Sequence, residues 1–332
     1  MKILYVTSAD SDNLEDAYLH GLRTLFGAAC VDFPRKDIMY KGWNKRPHTG
    51  MYGKMFTVWR TLDDIPVDRD DIPAKLKNGF FDLIVFGSIR RTMDHFKLFE
   101  PYCNPGNTIL LDGEDLCQVD VRLAHRFLYF KRELSAKTTY YYTHKLVPKM
   151  YVSGNLITWH PNVLPLSFAI PAEKITRGIT RASKKQLFPA HIVDDELRTH
   201  ARVAGLARNN DVMAHVFDDE QDYYQNLQQS RFGITTKRGG WDCLRHYEIP
   251  ANGSVMCFKD LTVKYRLNAP LGLSSSNCII YSSAEELFNT IDRLTDQEYD
   301  DLLEAGYRWV DDQTTVRKAV DLLQRVQNRF RR

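Results

Sequence analysis

No stretch of this 332-residue chain approaches eighteen consecutive apolar residues, so the sequence offers no ordinary membrane-spanning helix. Its six cysteines (Cys30, Cys103, Cys117, Cys243, Cys257 and Cys278) form no C-x-x-C pair. That removes the usual zinc and redox spacings and leaves buried free thiols as the expectation, with the cytoplasm as the compartment they fit. Ten histidines give neither H-x-x-H nor H-E-x-x-H, so no metal site is expected. There is no G-x-G-x-x-G, no G-x-x-x-x-G-K-[ST] and no G-x-S-x-G. A dinucleotide fingerprint, a P-loop NTPase and an α/β-hydrolase are therefore disfavoured. Net charge is also scarce: 45 basic against 42 acidic side chains leave +3, too little to imply nucleic acid by itself. The opening MKILYVTSAD has an apolar run too short for a signal peptide and reads as a first strand.

What is present is ordinary globular composition, 43% hydrophobic and 26% charged, at a length that predicts two domains. Lys2–Thr7 reads as a strand, followed by a polar turn containing Ser8 and Asp10. A helix with Leu14, Ala17, Tyr18, Leu22 and Leu25 on one stripe ends at Gly27. Cys30–Phe33 is the next strand, which completes a βαβ opening whose first loop lies at the carboxyl edge of a parallel sheet, where ligands bind. Residues 35–75 are dense in aromatics and methionines (Met39, Tyr40, Trp43, Tyr52, Met55, Phe56, Trp59) and read as packing under a long connection or as an acceptor surface. The D-x-D at Asp68-Arg69-Asp70 sits beside prolines and is discounted as a metal motif. Phe81–Phe86 and Ile109–Leu111 are further strands, the second followed by the acids Asp112, Glu114 and Asp115. Asn162–Pro171, with the prolines Pro165 and Pro171, reads as the crossing into a second domain.

The second half repeats the α/β theme. Gln186–Phe188, Val212–Phe217, Phe232–Thr235 and Cys278–Tyr281 read as strands; Asp194–Ala207, Glu220–Gln229, Asp296–Ala305 and Thr314–Phe330 read as helices, and Ser283 caps another. The last helix has the apolar stripe Val316, Val320, Leu323, Val326. His191 lies in the loop after Phe188. The stretch that organises this half is Thr236–Phe258. A basic Gly-rich loop, Lys237-Arg238-Gly239-Gly240, leads into a helix expected to start right after Gly240 and end at Gly253, with a buried strand from Val255 to Phe258 behind it. Trp241, Leu244, Arg245 and Glu248 then share one helix face. A cation and a carboxylate one turn apart, after a loop rich in backbone N–H groups, suit a phosphorylated ligand that carries a ribose. The bland alternative is a solvated helix pair worth a few tenths of a kcal/mol.

Glu248-Ile249-Pro250-Ala251-Asn252-Gly253 resembles the E-x-x-A-x-G segment of nucleotide-sugar glycosyltransferases of the two-Rossmann (GT-B) type, and the YFKREL segment around Phe130–Leu134 is similar to the branch that includes the CgeB-like proteins. The resemblance implies an α/β fold of two Rossmann-like domains facing each other across a cleft. Residues 1–165 would form an N-terminal acceptor domain and 166–313 a C-terminal donor domain, with 314–332 as a helix packing back on the first. It implies transfer of a hexose or pentose from a nucleotide-diphosphate sugar, a UDP-sugar favoured, without a metal or other cofactor. Glu248 would take the ribose hydroxyls, and Arg245, Lys237 and Arg238 the diphosphate. Tyr247 and Trp241 would pack on base or sugar, Gly253 would let the backbone approach, and His191 and Ser8 would be further donor contacts. In that family the general base comes from the first domain, which makes Glu114, Asp115, Asp112 and Asp10 the candidates. Many retaining members carry a second glutamate eight residues before the first, where this chain has Gly240, so the stereochemical course stays open. The acceptor stays open as well: a saccharide or small molecule, or a hydroxylated base in DNA met by Lys36, Lys41, Lys45, Arg46 and Lys54. The competing class is a non-catalytic or epimerase-like sugar-nucleotide binder.

Overall fold

The strand with the least choice of conformation is the first. Ile3–Val6 (β1) is four apolar residues in a row, buried on both sides, as a central strand of a parallel sheet must be. The computed structural model describes residues 1–44, 57–135, 139–142, 150–153, 161–203, 205–208 and 216–330. The chain divides into two units. The first comprises Met1–Pro171, Tyr265–Ala269 and Thr315–Arg332, and the second Ala172–Lys264 with Pro270–Thr314.

In the first unit β1 runs into the helix α1 (Asn13–Phe26), capped by the Asp12 side chain and stopped at Gly27. β2 (Cys30–Phe33), β3 (Leu83–Phe86), β4 (Thr108–Asp112), β6 (Leu128–Lys131) and β9 (Val163–Pro165) complete a six-stranded sheet, the short β5 (Gln118–Asp120) lying elsewhere. Every pairing is parallel and the order is β2-β1-β3-β4-β6-β9. The order reverses between β1 and β3, so the topological switch point lies there, with the loops after those two strands flanking it. Three short helices, α2 (Ile72–Lys77), α3 (Met93–Phe99) and α4 (Val121–Arg126), cover the sheet, and β5 joins a small second sheet with β7 (Thr139–Tyr142) and β8 (Met150–Ser153). The Pro-rich Asn162–Pro171, expected as a link, instead gives its beginning to the sheet as β9. Pro165 is tolerated because this strand is at the edge.

The final helix, α10 (Thr315–Phe330), lies against α1. Contact is close because Gly21 has no side chain: a Cβ there would fall 2.1 Å from the Thr315 carbonyl oxygen. His20 Nδ1 meets the Thr315 hydroxyl at 2.7 Å, and the Thr315 N–H donates to the Ile170 carbonyl at 2.9 Å. These bonds set the helix's rotation. The buried stripe is Thr315, Ala319, Leu322 and Val326, not the expected Val316, Val320, Leu323 and Val326, and Val320 is exposed.

The second unit holds α5 (Asp195–Thr199), α6 (Glu220–Gln229), β10 (Phe232–Thr235), α7 (Arg245–Ala251), β11 (Val255–Lys259), β12 (Ile279–Tyr281), α8 (Ala284–Arg293) and α9 (Asp296–Asp311). Its strands pair in parallel in the order β10-β11-β12. Three expectations are corrected. Gln186–Phe188 makes only an isolated parallel bridge, Gln186 to Ser230. The helix expected over Asp194–Ala207 stops at Thr199, with turns after it. α9 runs on to Asp311, beyond Ala305, because Tyr307 and Trp309 bury their rings while Trp309 donates to the Leu271 carbonyl at 2.8 Å. The strand expected over Val212–Phe217 lies mostly outside the described residues.

Candidate functional site

The connection between β10 and α7 is where the second unit concentrates its unusual side chains. It begins with Thr235, whose hydroxyl meets His246 Nδ1 at 2.9 Å, while His246 Nε2 lies 2.8 Å from the Trp241 carbonyl. His246 is fully buried and stacks on Phe258, 4.7 Å between ring centroids. The carbonyl can only accept, so Nε2 carries the proton and donates, and Nδ1 accepts from Thr235. This clamp holds 236–244 as a closed loop, and it explains why α7 starts at Arg245 and not after Gly240. Trp241 therefore precedes the helix instead of sharing its face. Its ring lies near-parallel to Phe258 at 6.4 Å, with Lys237 Nζ 5.9 Å from its centroid.

Arg245 and Glu248 keep their i, i+3 relation on α7. Glu248 is buried, 8% exposed, and its Oε2 accepts from the Tyr223 hydroxyl of α6 at 2.9 Å. Arg245 is half-buried, and its nearest polar contact is the Cys243 sulfur, 3.8 Å from Nη1. Among the described residues neither Arg245 nor the exposed Lys237 has a carboxylate partner. Arg238, half-buried in the loop, closes a turn by donating its backbone N–H to the Gly240 carbonyl at 3.0 Å.

Other expected donor contacts fall elsewhere. Tyr247 is fully buried, donates to Asp242 Oδ1 at 2.9 Å and packs on Trp309 at 5.4 Å, so it is core and not a ring facing a base or sugar. Gly253 has φ +68°, and a Cβ there would fall 2.6 Å from Ile179 Cβ and from the Tyr307 hydroxyl. It is needed for the α7–β11 turn, not for a ligand's approach. His191 is half-buried after Ala190, whose N–H is held by Asn226 Oδ1 at 2.8 Å.

Ser8 belongs to the first unit and is already engaged there. Its N–H donates to Glu15 Oε1 at 2.9 Å, and Lys36 Nζ donates to its carbonyl at 3.0 Å. Lys36 also pairs with Glu15 at 2.5 Å and Asp16 at 3.4 Å, all three buried. Burial pushes both carboxyls well above the usual range, and Lys36 offsets only part of that. Lys36 thus faces inward, away from any nucleic acid, and Lys41 pairs with Asp63 at 2.6 Å. Lys45, Arg46, Lys54, Tyr52, Met55 and Phe56 lie outside the described residues. Met39, Tyr40 and Trp59 are buried, which is the packing role for that insert, and Arg69 of the D-x-D turns inward to Asp32 at 2.6 Å.

The four candidate bases occupy different environments beside the β1/β3 switch point. Asp112, at the end of β4, is fully buried and pairs with Lys131 at 2.8 Å and Arg90 at 2.9 Å. Burial raises its pKa, but the two cations and the Tyr129 hydroxyl outweigh it and hold the carboxyl below its ordinary range. Asp115 pairs with the buried Arg132, and Glu114 with Arg91 at 3.1 Å. Asp10 is exposed, and among the described residues its carboxylate makes no hydrogen bond or ion pair. The charges of YFKREL are accounted for in the same place: Lys131 with Asp112, Arg132 with Asp115, and Glu133 with the Asn268 amide at 2.8 Å. Sequence reading missed Tyr223, His246, Arg91 and Ser88, whose hydroxyl donates to Asp12 at 2.9 Å. None belongs to a recognisable motif: Tyr223, Arg91 and Ser88 meet their partners through the fold, and His246 meets Thr235 and Trp241 nearby in the chain.

No family model and no curated protein matches the chain. Solved structures do. A glycosyltransferase from Rickettsia africae ESF-5 matches with a TM-score of 0.52 at 10% identity, over 98% of each chain. Anabaena HepE in complex with UDP matches with a TM-score of 0.55 at 8% identity, over 99% of this chain and 100% of that one. The same protein solved with UDP-glucose gives 0.52 at 10%, with the same coverage. The fold is GT-B. Both Rossmann-like halves of that α/β architecture are spanned, and at such identity the likeness is one of fold.

Proposed function

We propose that this GT-B protein is a glycosyltransferase that moves a sugar from a nucleotide-diphosphate sugar, a UDP-sugar favoured, to an acceptor hydroxyl. The observation that carries the proposal is the pair Arg245 and Lys237, two cations without a carboxylate partner among the described residues, flanking a Gly-rich loop beside the buried Glu248. A half-buried guanidinium is rarely left without an anion, and a diphosphate supplies one. Glu248 then accepts the ribose hydroxyls. As the bond from the anomeric carbon to the β-phosphate oxygen breaks, the negative charge gathering on the diphosphate is met by side-chain cations, so no metal is needed for it. That HepE was solved with UDP and with UDP-glucose supports a UDP-sugar for a chain of the same fold.

For the acceptor step Asp10 is the base. Its carboxylate is exposed and, among the described residues, in no ion pair, with Arg91 acting on it only at longer range, whereas Asp112, Asp115 and Glu114 are each paired with a cation. It takes the proton of the attacking hydroxyl while that oxygen bonds to the anomeric carbon and the nucleoside diphosphate leaves, an inverting course. The acceptor is a saccharide or small molecule, or a hydroxylated base in DNA; of the five cations that would meet DNA, Lys36 is buried, Lys41 pairs with Asp63, and Lys45, Arg46 and Lys54 lie outside the described residues.

The test is thermal stabilisation by UDP, GDP, dTDP, ADP and their sugars, because a ligand of the native state raises the unfolding midpoint by mass action. A nucleoside diphosphate should stabilise the wild type, and Arg245→Ala should weaken its binding roughly 10- to 100-fold, the loss of one charge-assisted contact. If Arg245→Ala binds as the wild type does, the diphosphate site is wrong. A binder that is not a transferase would show the stabilisation but no sugar transfer and no effect of Asp10→Asn on donor turnover.

A further inference from the structure

We propose that Tyr223 is a positioning residue that turns the Glu248 carboxylate away from Arg245 and toward the ribose, and so gives the site its preference for ribonucleotide over 2′-deoxyribonucleotide donors; this rests on the donor reading above. Arg245 and Glu248 are spaced i, i+3 on α7, a separation at which opposite charges on a helix ordinarily pair. Here they do not, since among the described residues Arg245 has no carboxylate partner. One donor to Glu248 among the described residues is the Tyr223 hydroxyl, 2.9 Å from Oε2, brought from the first turn of α6. Tyr223 is itself fixed, with Phe217 and Tyr224 each 5.6 Å from its ring. Its burial and then the charge of Glu248 push its pKa well above the ordinary value, so the phenol keeps its proton and can only donate that proton to Glu248.

A phenol is the right chemistry for this. It holds one carboxylate oxygen without neutralising the charge, as a lysine or arginine would. Oε1 is thereby given a defined direction, and Arg245 keeps its charge for a phosphate. Without the hydroxyl, rotation of the Glu248 side chain would let the carboxylate settle on Arg245. Ribose and diphosphate recognition would then fail together, from a residue that touches neither. The buried carboxylate also gives the basis for discrimination: a 2′-deoxy sugar takes one donor away from it, and loss of a hydrogen bond at a buried polar group is where such sites reject analogues most strongly.

The experiment measures dissociation constants by calorimetry for UDP and 2′-deoxy-UDP, and for the GDP, ADP and CDP pairs, on the wild type, Tyr223→Phe, Glu248→Ala and the double variant. The wild type should prefer its ribonucleotide several-fold. Tyr223→Phe should bring that ratio close to one and weaken the ribonucleotide three- to tenfold. In the Glu248→Ala background the same change should leave the ratio where it is, because Tyr223 acts through Glu248. Should Tyr223→Phe fail to fold, Glu248→Asp keeps the charge but withdraws it from the hydroxyl, and must also lose the preference. A ratio unchanged in Tyr223→Phe overturns the role of Tyr223 and leaves the donor site standing. A wild type that binds ribo- and deoxyribonucleotides alike overturns it too. If no nucleoside diphosphate binds the wild type at all, the donor reading itself falls.

Discussion

Asp112→Asn separates a structural carboxylate from a catalytic one. The wild-type side chain is fully buried, with Oδ1 receiving Lys131 at 2.8 Å and the Glu114 N–H at 3.1 Å, and Oδ2 receiving Arg90 at 2.9 Å and the Tyr129 hydroxyl. The amide keeps the shape and removes the charge. Lys131, itself fully buried, is then left with the Glu114 carbonyl at 2.8 Å and with Arg90 nearby. Burial already lowers its pKa, and only Asp112 opposes that. Leaving one partner of a buried pair uncompensated costs about 3–5 kcal/mol, which for a unit of this size lowers Tm by roughly 6–20 °C. Asp112→Leu combined with Lys131→Met removes both charges and should cost much less than the single change. The pH dependence has a definite sign. Cations hold the folded-state pKa of Asp112 below 3.8, so its stabilisation is complete above the unfolded value and is lost as pH falls through the folded one. Urea unfolding at pH 7 should therefore show the full deficit of Asp112→Asn, and at pH 3 a smaller one. A variant as stable as the wild type at pH 7 that had nonetheless lost sugar transfer would refute the reasoning, for that is how a base behaves.

Glu15 and Asp16 carry the opposite sign. Burial, partly offset by Lys36, raises Glu15 from 4.5 to about 7 and Asp16 from 3.8 to about 6, so the folded state holds extra protons between those values. Stability should fall as pH rises from about 4 to 7, and Glu15→Gln should make that fall shallower in urea midpoints; an equally steep decline would remove Glu15 from the cluster's titration. Gly253→Ala places a Cβ 2.6 Å from Ile179 and Tyr307 at a residue with φ +68°. Strain and overpacking together should cost roughly 2–5 kcal/mol, and a loss below about 1 kcal/mol in thermal unfolding would mean that the turn has room.

Much of the fold was legible because its strands are short apolar runs with buried flanks. β1, β2, α6 and β10 lie within a residue of where alternation, caps and turn residues put them. What periodicity missed depends on side-chain contacts that leave no helical or strand period in the sequence. The rotation of α10 is set by His20 and Ile170, and the late start of α7 by a histidine clamp to Thr235 and Trp241. The candidate site follows the same division. Arg245 and Glu248 could be picked out because charges among Trp, Ala and Gly are locally anomalous, but that signal says nothing about whether the two charges quench each other. Spacing alone predicts that they would. The answer comes from Tyr223, on another helix and with no motif of its own. The same is true of the acids: four carboxylates near one sheet edge look equivalent in sequence, and only Lys131, Arg132 and Arg91 distinguish them. A carboxylate's neighbours decide whether it holds the fold or is left to do chemistry. By that criterion the exposed Asp10 of the first unit and Arg245 and Lys237 of the second are, among the described residues, charges that no ion pair holds.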